Sequence, residues 1–130
     1  MKKHINDLTD DEVNACMAVE AGWLPPSHEK TCAIRLRDKL THSTYDDSWA
    51  NPEGYLRRSH PQYTKEPNLW WPIAEEYGIY PNKEVLGVKW YCCLSVDPFV
   101  TREVYETPGL AVCKCFLFIK HPDGMVEVPE

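Results

Sequence analysis

The sequence predicts a single α+β domain in which a small antiparallel sheet packs between helices. Helix-start signals occur at three separate places, and an alternating strand pattern lies between the second and the third. The 130 residues match the size of one ordinary domain, so we treat 1–130 as one unit. Hydrophobic residues make up 43% of the chain, which at this length allows a core without disulfide or metal staples.

The first predicted helix begins after Thr9 and ends before Gly22. Thr9 is a helix-capping residue, and Glu12 three positions later completes a capping box. Apolar residues then follow along one stripe of the helix. Gly22 and the nearby Pro25-Pro26 pair stop it.

The middle of the chain is harder to assign. Residues 24–64 mix polar and apolar side chains without a sustained period, and within them Ala33 to Leu40 fits either a short strand or a helical turn.

A second helix then begins with Pro67 at its first position and ends at Gly78. Pro72 either lies in the early turns of this helix, where its missing N–H costs little stability, or it moves the helix start to Trp71.

Two strands are predicted next. After a turn at Tyr80-Pro81-Asn82, apolar and polar side chains alternate from Val85 to Val96, which is the pattern of a strand with one face on a core. Asp97-Pro98 then turns the chain, and Val100 to Tyr105 returns as a partner strand.

The last element fits two structures. Thr107-Pro108 is a capping residue followed by Pro at a first helical position, whereas Val112 to Ile119 is rich in strand-forming residues. A turn at His121 to Gly124 would close a hairpin onto Met125 to Val128. Because the capping evidence is positional and strand propensity depends on context, the sequence favours a helix from Pro108 to Lys120.

Charge and hydropathy narrow the classes of partner. Twenty acidic and fourteen basic side chains give a formal net charge of -6, and the acids are dispersed. Binding to duplex nucleic acid requires a basic face, so we expect no such partner. No apolar run approaches the roughly 18 residues of a membrane span. A secretory signal has an apolar stretch after its charged start, and here no such stretch follows. We therefore expect a cytoplasmic protein with no membrane partner.

The six cysteines are expected to be free thiols. Disulfide frameworks belong to shorter chains with a secretory signal. Zinc is the alternative, but Cys92 and Cys93 are adjacent, Cys113 and Cys115 are two apart, and no C-x-x-C spacing occurs. We expect no metal and no other cofactor, and a zinc-stabilised structural module stays open as an alternative function.

One segment, from Trp49 to Trp71, combines aromatic rings with basic side chains. Rings of this kind stack on bases and arginine forks hold phosphates, so the segment predicts a nucleotide pocket. The opposing interpretation places the tryptophans in the core and the arginines on an exposed rim. The candidate ligand-binding residues are Trp49, Tyr55, Arg57, Arg58, His60, Tyr63, Trp70 and Trp71.

Trp70 and Trp71 face about 100° apart on a helix, so we expect only one of them to be central to the core. The other then needs a ligand or a second subunit. An aromatic content of 12%, with five tryptophans, also favours a homo-oligomer, because surplus aromatic residues are typical of subunit interfaces.

Several short motifs carry a family resemblance. They are Leu8 to Val13, Gly22-Trp23, Trp49, Tyr63-Thr64, Trp90, and Thr107 to Cys113. With these motifs the chain resembles the phage ABA-sandwich domain family of small bacteriophage proteins. The resemblance implies a sheet packed between helices and a phage or prophage origin, and it implies no activity and no catalytic residues.

No catalytic signature is present: the sequence lacks G-x-S-x-G, a phosphate loop, H-E-x-x-H and G-x-G-x-x-G. We expect a non-enzymatic phage accessory protein. The first hypothesis is a binder that sequesters a nucleotide-type signal of host defence. The second is an inhibitor whose acidic surface covers a host defence protein. The dispersed acids and the locally basic region around Arg57 favour the first.

Overall fold

A computed structural model describes residues 1–37, 47–83, 87, 89–94 and 105–129. Within them the chain forms four α-helices: α1 (Asp10–Glu20), α2 (Glu29–Arg37), α3 (Pro67–Tyr77) and α4 (Pro108–Lys120). The strands of the same residues are β1 (Lys2–His4), β2 (Trp49–Ala50), β3 (Leu56–Arg57), β4 (Ile79–Lys83), β5 (Trp90–Leu94) and β6 (Met125–Glu127). None of these helices is long and apolar enough to cross a membrane.

The predicted α+β class is confirmed, and the strands of the described ranges form three antiparallel ribbons of two strands each. Strand β1 pairs with β6, β2 with β3, and β4 with β5. The β1–β6 pair joins the two ends of the described chain, with Lys3 opposite Val126. That pairing spans the whole chain, and no local pattern in the sequence indicates it.

The first helix begins as predicted. The Thr9 hydroxyl accepts the Glu12 N–H at 3.2 Å, and Glu12 Oε1 accepts the Thr9 N–H at 3.0 Å, which completes the capping box. The pKa of Glu12 is lowered, first by that Thr9 N–H and then by Lys3, whose ammonium lies 2.9 Å from the carboxylate. The buried face of α1 is broader than one apolar stripe, because it includes Asn14.

The second predicted helix is confirmed as α3, which runs from Pro67 to Tyr77 and ends at Gly78 in a left-handed conformation (φ 66°). Pro72 lies inside it, so the alternative of a later start is wrong. Residues 33–37 belong to α2, which decides between the strand and the helical turn in favour of a helix.

The predicted turn at Tyr80-Pro81-Asn82 is wrong, because these residues belong to β4. Proline lacks the N–H that a central strand needs, but an edge position tolerates it, and here Pro81 lies opposite Cys92 in a two-stranded ribbon. The predicted strand Val85 to Val96 is observed over Trp90–Leu94. Of its predicted partner, only Tyr105 lies within the described residues, and it pairs with Trp90 through two 2.7 Å hydrogen bonds.

The final element is a helix, as the capping signal predicted. The Thr107 hydroxyl accepts the Leu110 N–H at 3.1 Å, and Pro108 takes the first helical position. Every residue from Gly109 to Leu117 is buried. Helix α4 packs against α1, α3, β4 and β5, so its strand-forming residues fill the centre of the core instead of pairing in a sheet.

The cysteines whose side chains are described are free thiols, and the Cys93 side chain lies outside that set. Burial raises the pKa of Cys16 to about 11 and raises that of Cys113 further. A hydrogen bond from the Cys92 thiol lowers the pKa of Cys115, against the opposite effect of its burial. Cys32 is only partly buried.

Alkylation of the folded protein is expected to modify Cys32 well before Cys16, Cys92, Cys113 and Cys115, because an alkylating reagent needs both access and a thiolate. Timed labelling at mild alkaline pH, followed by peptide mass spectrometry, measures each site separately. In denaturant all six cysteines should react. Labelling of Cys113 as fast as Cys32 in the native protein would contradict the buried placement of α4.

Candidate functional site

The predicted aromatic segment does not fold into one cluster. Three of its rings lie in the core: Trp49 is 9% exposed, Tyr63 8% and Trp70 8%. Trp49 makes an edge contact with the partly buried His60, with ring centroids 4.7 Å apart. Burial raises the pKa of Tyr63. These side chains therefore contribute to packing.

The other predicted residues are exposed. Tyr55 is 58% exposed, and the Arg57 guanidinium lies 5.8 Å from the centre of its ring. Arg57 also donates to the Leu56 carbonyl at 2.9 Å, and Arg58 is exposed beyond it. Trp71 is 48% exposed and touches Trp70 edge-on at 5.7 Å. One tryptophan of the pair is central to the core and the other is not, as predicted.

A groove of about 330 Å³ lies where the starts of three helices meet. Its lining contains the first residue of α1 (Asp10), of α3 (Pro67) and of α4 (Pro108). The N-terminus of an α-helix carries roughly half a positive elementary charge from aligned peptide dipoles. A helix end of this kind favours a negatively charged occupant wherever nearby acidic side chains do not offset its charge. The remaining lining residues are Thr64, Lys65, Trp70, Thr107 and Gly109.

The ends of α3 and α4 are the less neutralised of the three. Helix α1 carries three acids in its first turn, whereas α3 and α4 carry none there. Helix α3 also has no side-chain cap. In α4 the cap serves Leu110, so the Gly109 N–H has no acceptor within the helix. The N-cap residue of α3 is itself acidic (Glu66), and Pro67 has no N–H, so the Gly109 N–H at the start of α4 is the backbone donor left for a ligand.

Thr64 provides a second, independent feature of the groove. It is 4% exposed, and of the buried side-chain oxygens and nitrogens described, its hydroxyl oxygen is the one without a hydrogen-bond partner. Leaving such a group unpaired costs about 1–3 kcal/mol. Its backbone N–H is held by the fully buried Asn14 side chain at 2.9 Å, and Asn14 in turn donates to Gln62 at 3.2 Å. Asn14 of α1 therefore holds the backbone of Thr64 in place, while the Thr64 hydroxyl makes no hydrogen bond.

Gly109 lets the three walls of the groove approach one another. A Cβ atom at this position would overlap the Thr64 carbonyl oxygen and lie 2.7 Å from Trp70 Nε1. Helix α4 therefore begins directly against the Thr64 turn and the indole edge. The residues that line the groove carry hydroxyl, indole and backbone donors, and the exposed Lys65 adds an ammonium.

A larger groove, of about 510 Å³, separates α2 from the β2–β3 hairpin. Its lining is mostly apolar, with Lys30 and Asn51 as the polar members, and no orphaned buried group lies in it. Within the described ranges, no three His, Cys, Asp or Glu side chains are placed to hold a metal ion. The groove at the helix starts therefore has the clearest chemical character.

Of the eight predicted site residues, Trp70 lines this groove. Sequence reasoning missed Thr64 and Gly109 as site residues, and it counted Lys65 among the basic side chains of the Trp49 to Trp71 segment without including it in the eight candidates. The signal that could have found them is the set of helix starts, since Thr9-Asp10, Pro67 and Thr107-Pro108 are all recognisable in the sequence. Their convergence depends on tertiary packing.

In comparisons with known proteins, no family model matches the chain, and neither a curated protein nor a solved structure does.

Gly109→Ala is expected to destabilise the protein by about 1–3 kcal/mol, the usual cost of overpacking a filled site. In an unobstructed helix the same change would stabilise by up to about 1 kcal/mol, so the sign is diagnostic. Urea unfolding measures the difference. Gly54→Ala is the comparison variant. Its added Cβ would meet open space, so any loss of stability there comes from the positive φ of 89° and not from overpacking. A Gly109→Ala protein as stable as the wild type would contradict the close approach.

Proposed function

We propose that this protein is a non-enzymatic binder of a small, phosphate-bearing ligand of the nucleotide type. The observation that carries the proposal is the unpaired Thr64 hydroxyl at the meeting point of three helix starts. A phosphate oxygen bound there would accept from this hydroxyl and from the Gly109 N–H, and Lys65 would add a charge. The biological role that we propose is sequestration of a host-defence signal in the host cytoplasm, which a phage or prophage origin would make useful.

Trp71 is the proposed contact for the base. It is 48% exposed and touches Trp70, whose ring lines the groove. Stacking of a base on an aromatic face contributes about 1–3 kcal/mol. A ligand with phosphate at the helix starts and its base on Trp71 would use both features.

Binding is expected for at least one member of a nucleotide panel, with a Kd below roughly 100 μM, about 5.5 kcal/mol of binding free energy. The panel comprises mononucleotides, linear and cyclic dinucleotides, cyclic trinucleotides and cyclic ADP-ribose isomers, each measured by calorimetry. Lys65→Ala should weaken that binding by about 1.5–3 kcal/mol, the range for a hydrogen bond to a charged group. Trp71→Ala should weaken nucleotide binding and leave the binding of inorganic phosphate unchanged.

Matched variants locate the phosphate. Lys83→Ala removes an exposed lysine outside the groove lining and should have no effect. Arg57→Ala and Arg58→Ala test the phosphate ligands predicted from the sequence. If the arginine variants lose nucleotide affinity and Lys65→Ala does not, the phosphate binds near β3, and the assignment of the phosphate to the groove is wrong. If no panel member binds, the protein-inhibitor alternative takes the place of this proposal.

A homo-oligomer, most simply a dimer, is proposed as the active form. The exposed rings of Tyr55 and Tyr80 are the kind of surface that a second subunit covers, since aromatic residues are enriched at interfaces. Light scattering at micromolar concentration, with and without ligand, should report more than one subunit. A monomer under both conditions would contradict the oligomer.

A further inference from the structure

Asp10 is an unexpected member of a groove suited to anions. It is the first residue of α1 and is exposed, and no hydrogen bond or ion pair joins its carboxylate to another described residue. A carboxylate beside a bound anion repels it, unless the anion itself offers a proton. The role of Asp10 therefore depends on which anion occupies the groove.

A phosphate monoester can offer such a proton. Its second ionisation lies at about pH 6, so near neutrality part of the population carries one P–OH group. A carboxylate accepts only, and an O–H donating to it makes a short, charge-assisted hydrogen bond. Sulfate and phosphate diesters are fully ionised near neutrality and have no such donor. For these anions the Asp10 carboxylate adds repulsion and no compensating bond.

We propose that Asp10 is a specificity residue that selects the singly protonated form of a terminal phosphate over sulfate and over phosphodiesters. The rest of the groove supplies donors, namely the Thr64 hydroxyl, the Gly109 N–H and the Lys65 ammonium, which suit the ionised oxygens. Asp10 is the acceptor for the remaining P–OH. Donors and one acceptor together match a protonated phosphate and no fully ionised anion.

This inference rests on the proposed function, because it assigns the ligand class of the same groove. It narrows the nucleotide ligand to one with a terminal phosphate, such as a mononucleotide. Cyclic dinucleotides and cyclic trinucleotides, whose phosphates are all diesters, become the weaker members of the panel.

The test uses two matched pairs of probes at about pH 6, where both forms of a monoester are present. The pairs are inorganic phosphate against sulfate, and methyl phosphate against dimethyl phosphate. Titrations followed by the amide signal of Gly109 and the indole N–H signal of Trp70 in heteronuclear NMR report binding at the groove itself. Phosphate and methyl phosphate should bind at least about tenfold more tightly than their partners, the size of one charged hydrogen bond.

Asp10→Asn should reduce that ratio to within about threefold, since an amide both donates and accepts and no longer repels the ionised anions. Asp11→Asn is the control, because it lies in the same first turn of α1 but outside the groove lining, and it should leave the ratio unchanged.

Sulfate binding as tightly as phosphate to the wild-type protein, or an unchanged ratio in Asp10→Asn, would overturn the role of Asp10 while the phosphate-binding function stands. If none of the four probes shifts these signals and no nucleotide binds, the proposed function fails and the inference fails with it.

Discussion

The burial of α4 is the constraint on which the rest of the fold depends. Its residues from Gly109 to Leu117 are buried by α1, α3, β4 and β5, so each neighbouring element is positioned against this one helix. Each fully buried large apolar side chain contributes about 1.5–3 kcal/mol, which a lone exposed helix could not gain. One charged residue, Lys114, is accommodated within it: its ammonium donates to the Asn6 carbonyl at 3.4 Å and lies 5.1 Å from the Tyr105 ring.

The same packing creates the candidate site. Helices α1 and α3 both contact α4, and all three place their first residues around the groove. Asn14 extends this arrangement from the core to the surface, since it is fully buried on α1 and holds the Thr64 backbone. Substitutions at Asn14 would therefore act on the groove without touching a ligand.

The division of the aromatic residues follows from their places in the fold. Trp49 and Tyr63 lie in the core, where large aromatic side chains bury the most apolar surface. Trp71 is turned away by the helical rotation that buries Trp70. A sequence shows that aromatic and basic residues are neighbours along the chain, but whether they face one another depends on the direction of each side chain. For this reason Trp70 is the one candidate ligand-binding residue that lines the observed groove, although Thr64, Lys65 and Pro67 of its lining also come from the predicted segment.

The sequence by itself determined the local features of this protein. The capping box at Thr9, the proline and glycine limits of α3 and the Thr107-Pro108 start of α4 were all predictable, because each involves residues within one turn of helix. The α+β class followed from the same signals. The strand at Pro81, the pairing of β1 with β6 and the groove at the helix starts were decided only by the tertiary structure. Each depends on contacts between residues far apart in the chain, whose free energy is set by the packing of the whole domain.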